Sequence, residues 1–309
     1  MGVLVLAYQD IGYVGLEALL QAGAEVAAVF THEDDPGEEV WFRSVAELAR
    51  SRGLPVHTPE DPNRPEMTDL VRSLAPDFIF SFYYRHLLSG EFLAAARRGA
   101  YNLHGSLLPS YRGRAPINWV LVNGETETGL TLHRMTVRPD AGDIAAQVRV
   151  PIAEADTIRE LYAKMTAAAA RLITETWPEL AAGRIEEVPQ DESQASYFGR
   201  RRPEDGRIDW QAPAKKIYDL CRAVTHPYPG CFTFYQGKKL YIWSAGYDAD
   251  PETRPPGTVL GPDGEKGLAV ACGRGRLCVR SAQWAGREEL AGPELVRIEL
   301  SVGARLGNN

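Results

Sequence analysis

The chain has 309 residues, 44% hydrophobic and 24% charged, with 34 Lys and Arg against 41 Asp and Glu. That length and composition suit two globular domains and exclude a disordered, collagenous or disulfide-scaffold chain. The formal net charge of −7 argues against a protein that holds nucleic acid chiefly by electrostatics.

Residues 3–7 are a short apolar run, followed by Gly12 and Gly15 and then the helical pattern Leu16, Leu19, Leu20. A second run covers 26–30, a second helix carries Val45, Leu48 and Ala49 and ends at Gly53, and residues 77–81 follow Pro76 as another strand. Apolar strands alternating with amphipathic helices predict a mostly parallel sheet covered on both faces. Longer strands are expected at 129–135 and 144–150. Thr157 and Glu160 then form a capping box opening a long helix with Leu161, Met165, Ala168, Leu172 and Thr176 on one face. Residues 190–207 are polar and charged and read as a linker.

Beyond one helix at 213–224, short strands at 231–235, 239–244, 257–260, 268–272 and 277–283 suggest a small β-barrel, with the OB type as one option. The predicted fold class is therefore α/β: a catalytic domain over 1–203 followed by an OB-like domain over 204–309. Residues 204–309 carry 14 basic and 13 acidic side chains, so the acidic excess belongs to the first region.

No apolar run reaches the roughly 20 residues of a membrane helix, and the first ten residues lack a basic segment and turn polar too early for a secretion signal. Cys221, Cys231, Cys272 and Cys278 show neither Cys-x-x-Cys spacing nor histidines at zinc-finger distances. Reduced, mostly buried thiols of a cytoplasmic protein without a metal are expected.

Two regions are candidates for chemistry. Gly12 and Gly15, with the acidic cluster Glu33, Asp34 and Asp35 about 20 residues on, faintly suggest dinucleotide binding, but the three-glycine fingerprint is incomplete and a tight strand-to-helix turn is the simpler reading. The denser region is 101–143. Asn102 and His104 are two apart on a strand end, so both face one side while Leu103 faces the other. A Gly-, Pro- and Arg-rich segment over 105–116 follows, and the turn 138–143 brings Asp140 and a further carboxylate, Asp143. A histidine that moves protons, an amide that donates to an oxyanion and a carboxylate that tunes the histidine suit acyl transfer. No serine or cysteine stands out as a nucleophile, which favours direct attack by the substrate. His133, mid-strand with apolar neighbours, reads as structural, and Trp119 as packing for the following helix.

Asn102-Leu103-His104 followed by Ser106-Leu107-Leu108-Pro109 and Asp140 resembles the signature of the folate-dependent formyltransferases, which act on glycinamide ribonucleotide, methionyl-tRNA or sugar nucleotides. The segments 102–109, 111–116, 118–129 and 131–135 are most similar to the sugar-nucleotide branch, and 30–32, 35–38, 80–87 and 198–201 extend the match. The resemblance implies a Rossmann-like domain, an OB-like domain and 10-formyltetrahydrofolate as formyl donor. It implies UDP-4-amino-4-deoxy-L-arabinose as acceptor, with neither nucleic acid nor membrane as partner. It also gives His104 the proton transfer, Asn102 the oxyanion, and Asp140 the tuning of His104. His86, Leu87, Leu88, Arg114, Thr136, Val137, Arg138 and Pro139 match the folate-binding positions. Arg112, Arg201 and Arg202 are expected to meet the acceptor's diphosphate, since guanidinium forks fit phosphate oxygens. Enzymes of this branch that continue into an NAD-dependent decarboxylating domain are longer, so only the formyl-transfer activity is expected of 309 residues.

Overall fold

The computed structural model describes residues 1–34, 37, 40–264 and 267–307. Asp35 of the acidic cluster, with Pro36 and Glu38 of the family match, lies outside the described residues. Two compact units divide the chain: Met1–Pro116, Glu127–Ile152 and Tyr162–Gly199 form one, and Ile117–Thr126, Ala153–Leu161 and Arg200–Asn309 the other.

The elements run β1 (Gly2–Ala7), α1 (Gln9–Gln21), β2 (Glu25–Phe30), α2 (Val45–Ser51), β3 (Val56–His57), α3 (Pro65–Leu74), β4 (Phe78–Phe82), α4 (Gly90–Leu93), β5 (Gly99–His104) and β6 (Arg112–Gly113). They continue with α5 (Pro116–Val122), β7 (Glu127–Arg134), β8 (Ile144–Pro151), α6 (Ile158–Ala181) and β9 (Tyr197–Phe198). Seven strands of the first unit make one sheet in the order β3-β2-β1-β4-β5-β7-β8. The five from β3 to β5 are parallel, while β7 and β8 add antiparallel edges. Positions 3–7 of β1 and all of β4 are buried, as apolar parallel strands covered on both faces must be. Because β1 sits between β2 and β4, the chain changes direction across the sheet there, and ligands of such sheets bind beyond the strands' C-terminal ends.

Gly12 and Gly15 lie inside α1, not in the turn before it. A Cβ on Gly15 would come within 2.6 Å of the Phe82 ring, and one on Gly12 within 3.0 Å of the Phe82 carbonyl. These glycines let the helix sit close on β4, which explains them without a cofactor. In α6, Glu160 accepts the Thr157 N–H at 2.9 Å, one half of the predicted capping box, while the Thr157 hydroxyl accepts the Arg159 N–H at 3.2 Å. Leu161, Met165, Ala168, Leu172 and Thr176 are all buried, and Trp177 stands edge-on to Phe78 and Phe80. The helix α3 has no counterpart among the predicted elements, although Met67, Leu70, Val71 and Leu74 recur at helical spacing.

The second unit contains α7 (Ala214–Val224), β10 (Cys231–Tyr235), β11 (Lys238–Asp248), β12 (Val259–Pro262), β13 (Leu268–Ala271), β14 (Arg276–Trp284) and β15 (Glu289–Ala291). They form a six-stranded antiparallel sheet, β10-β11-β14-β13-β12 with β15 on β14. The five predicted strands are present, and β15 is too short for its alternation to show in sequence. In α7, Asp219 is buried and paired with Lys215 and Arg222 at 2.7 and 2.8 Å. Cys221, Cys231 and Cys272 are buried and all four cysteines are free thiols. Among the described residues no helix is long and apolar enough to cross a membrane.

The polar stretch expected as a linker is anchored instead. β9 within it pairs with β6, and its Gln190, Glu192 and Tyr197 all bond the Arg112 side chain.

Candidate active site

The site is built on β5 and β7. Opposed residues of an antiparallel pair share a face, and Asn102 is opposite His133, so their side chains meet. The Asn102 Nδ2 lies 3.1 Å from His133 Nε2. His104, two residues along β5, points to the same face, with its ring centroid 6.4 Å from that of His133. His133 Nδ1 donates to the Arg134 carbonyl at 2.9 Å, which turns the acceptor nitrogen Nε2 to Asn102. It takes one amide hydrogen of Asn102 and leaves the second available to a ligand.

Asp140 enters from the turn between β7 and β8. Its Oδ1 is 3.5 Å from His104 Nδ1 and 3.6 Å from His133 Nε2, and its Oδ2 accepts the Gly113 N–H at 2.9 Å. Burial opposes its charge, but His104 and the Gly113 N–H outweigh burial and hold the carboxyl at about 2. His104 is buried, and its Nε2–H donates to the Tyr111 carbonyl at 2.8 Å. Burial drives its pKa below the ordinary histidine value, against the pull of Asp140 and of that carbonyl. Both nitrogens of a protonated ring would find an acceptor, so the site can take and hold one proton.

The expected donor-binding positions occupy two adjoining segments. In the first, His86 is half-buried, Leu88 is in the core and Leu87 is 66% exposed. In the second, Thr136, Arg138 and Pro139 are exposed and Val137 is 78% exposed. They meet where a Cβ on Gly90 would lie 3.3 Å from Val137 Cγ2. Arg114 is exposed, its N–H donating to the Phe198 carbonyl at 2.9 Å.

The arginines expected at a diphosphate differ in placement. The Arg112 side chain is fully buried, with Gln190, Glu192 and Tyr197 around its guanidinium, so it holds protein and does not face a ligand. This corrects the expectation, and the reason is geometric: β6–β9 pairing turns the side chain inward. Arg201 lies over the Trp119 ring at 4.6 Å, and Arg202 is exposed.

Residues 12–176 match the formyl transferase family, and 201–299 match the formyl transferase C-terminal domain. The chain belongs to the formyl transferase family. Among solved structures, it is similar to the N-formyltransferase from Helicobacter canadensis in complex with folinic acid and dTDP-3-aminofucose, with 20% identity, TM-score 0.71 and coverage of 90% of this chain and 98% of that one. The sugar 3N-formyl transferase WlaRD, solved in the presence of dTDP and 5-N-formyl-THF, has 19% identity, TM-score 0.71 and coverage of 93% and 99%. HypX from Aquifex aeolicus in complex with tetrahydrofolic acid has 18% identity and TM-score 0.63, with 96% of this chain matching 46% of that one. At these identities the likeness is one of fold.

The formyltransferase moves a one-carbon acyl group, and residues that the spacing alone does not single out lie next to the predicted ones. His133, read as structural, is buried with a partner at each ring nitrogen, and the β5–β7 register sets it opposite Asn102. Asn63 clamps the first donor segment from both ends of its amide, donating to the Leu87 carbonyl at 2.9 Å and accepting the Ser89 N–H at 2.7 Å. His32 accepts the Arg85 N–H at 3.0 Å and stacks on Tyr84.

Burial, with His86 and Arg85 nearby, holds His32 at about 4 against an ordinary 6.5. The unfolded chain therefore binds a proton that the native ring refuses. The stability due to the neutral ring is complete above pH 6.5 and is lost as pH falls towards 4. After discounting for solvent at this partly exposed ring, the loss is expected to be roughly 1–2 kcal/mol. Urea unfolding of wild type and His32→Gln across that window measures it; parallel curves would contradict it.

Proposed function

We propose that this formyltransferase carries the formyl group of 10-formyltetrahydrofolate to the 4-amine of UDP-4-amino-4-deoxy-L-arabinose, an amino-sugar nucleotide used to modify lipid A in polymyxin resistance. The observation that carries the reading is the convergence of Asn102, His104 and Asp140 on one sheet face; Leu87 and Val137, in the two segments expected to hold the donor, are exposed apolar side chains. Flat pterin rings suit such a surface, flanked by backbone groups of residues 86–88 and 136–139, with Arg114 exposed nearby in sequence. The donor supplies an electrophilic formyl carbon.

In this mechanism the neutral sugar amine attacks that carbon directly. The free amide hydrogen of Asn102 meets the negative charge that builds on the formyl oxygen. As the acceptor binds, the ring proton of His104 moves from Nε2 to Nδ1, where Asp140 accepts it, and Nε2 turns its lone pair from the Tyr111 carbonyl to the amine. His104 takes the amine proton and returns one to the leaving nitrogen, while ionised Asp140 compensates the charge on the ring. Orientation in the crevice supplies the rest. This chemistry belongs to residues 1–203, with 204–309 as the second domain, and Arg201 and Arg202 serve the diphosphate. The enzyme works in the cytoplasm, without a metal.

A second reading replaces the acceptor by a dTDP-linked amino sugar, the kind of ligand named for the Helicobacter canadensis structure. Thermal shift with UDP, dTDP and a folate analogue separates the two. The lead reading expects stabilisation by the folate and by UDP, each about 3 kcal/mol at one hundred times its dissociation constant. Stabilisation by dTDP but not UDP would overturn the acceptor, and none by folate would overturn the donor.

A further inference from the structure

Asp140 reaches its partners from an unfavourable backbone: its φ is +56°, in the left-handed region that a residue with a side chain rarely adopts. The surrounding structure must therefore hold it. Gln190 does so from the far side of the turn. Its Nε2 donates to the carbonyls of Asp140 and Gly142 at 2.9 and 2.7 Å. Its Oε1 accepts from Arg112 Nη2 at 2.7 Å and Nε at 3.1 Å. Accepting from a guanidinium while donating to two carbonyls requires a side chain with an oxygen and an NH2 on one carbon, which is an amide.

Arg112 is itself fixed, its fork reaching Glu192 Oε1 at 2.8 Å and the Tyr197 hydroxyl at 2.6 Å. The next residue, Gly113, sends its N–H to Asp140 Oδ2. The same strap thus touches Asp140 twice, at the carboxylate through Gly113 and at the main chain through Gln190.

We propose that Gln190 is a positioning residue for Asp140, with Arg112 fixing Gln190 in turn. The proposal rests on the reading that Asp140 tunes His104. Besides Asp140, the groups around the His104 ring are His133, Arg112 and the Tyr111 carbonyl. If Gln190 only filled space beside Arg112, its loss would lower the melting temperature and leave the His104 titration unchanged.

The test follows the His104 ring by NMR in 13C-histidine-labelled protein, comparing wild type with Asp140→Asn, Gln190→Met and the double variant. Asp140→Asn is expected to lower the pH at which His104 gains its proton by about one unit or more. Gln190→Met is expected to lower it in the same direction, and the double variant to match Asp140→Asn alone, because coupled changes do not add. Should Gln190→Met not fold, Gln190→Asn, a neutral amide too short to span Arg112 and both carbonyls, takes its place in the same cycle. A Gln190 variant with a wild-type titration, or one that shifts His104 as far without Asp140, overturns the proposal. An Asp140→Asn variant with an unmoved His104 overturns the underlying reading, and it does so in the single variant, whatever Gln190 does.

Discussion

His104→Ala is expected to lose a factor of roughly 10² to 10⁴ in kcat, the usual worth of a placed proton-transfer group, with the KM for the formyl donor nearly unchanged. The proton exchange exists only as bonds form and break, so ground-state binding does not depend on it. Asn102→Ala should lose about 10² to 10³, as when one oxyanion donor is removed. Neither change strips the sheet of apolar burial: both side chains are polar and sit at the end of β5, while Leu103 keeps its place in the core at 1% exposure. Circular dichroism should show a native fold in both. A folded His104→Ala protein with near-wild-type kcat would remove His104 from the chemistry.

Arg112→Met should act on stability first. The substitution leaves the Gln190 oxygen without its donors, leaves the Tyr197 hydroxyl without Arg112, and exchanges a planar fork for a thioether. An unsatisfied buried acceptor costs about 1–3 kcal/mol, and losing one partner of a buried ion pair costs more. Because Glu192 is half-exposed and water can serve it, a total near 3 kcal/mol is expected. In a protein of this size that lowers the melting temperature by roughly 5 °C. Arg112→Lys should recover only part of the loss, since an ammonium cannot bond Gln190 and Glu192 in the same planar geometry. If Arg112 bound the acceptor instead, both variants would melt like wild type and show a raised acceptor KM. Calorimetry decides between the two.

The parallel strands were readable because burial on both faces leaves an uninterrupted apolar run, as in residues 3–7 and 78–80. The longer strands β7 and β8 and the start of α6 at Thr157 were equally plain. Two-residue pairings such as β6 with β9 carry no periodicity, so the 190–207 stretch looked like a linker when it is tied to Arg112. The site divides in the same way. Asn102 and His104 show themselves by spacing along one strand, whereas His133 joins them through a register between residues 31 apart. Arg112 reads as a phosphate ligand from its residue type, and only tertiary burial reveals it as internal. Gln190 has no local signal, because its role depends on two partners brought from 112 and 140.

Product analysis by mass spectrometry tests the central claim most directly. Wild-type protein is incubated with 10-formyltetrahydrofolate and UDP-4-amino-4-deoxy-L-arabinose, with dTDP-linked amino sugars in parallel. A UDP-sugar heavier by one formyl group, formed together with an equal amount of tetrahydrofolate and at least about a hundredfold more slowly with Asn102→Ala and His104→Ala, is the predicted result. No formylated product from any of these amino-sugar nucleotides, by a protein that binds the donor, would contradict the account.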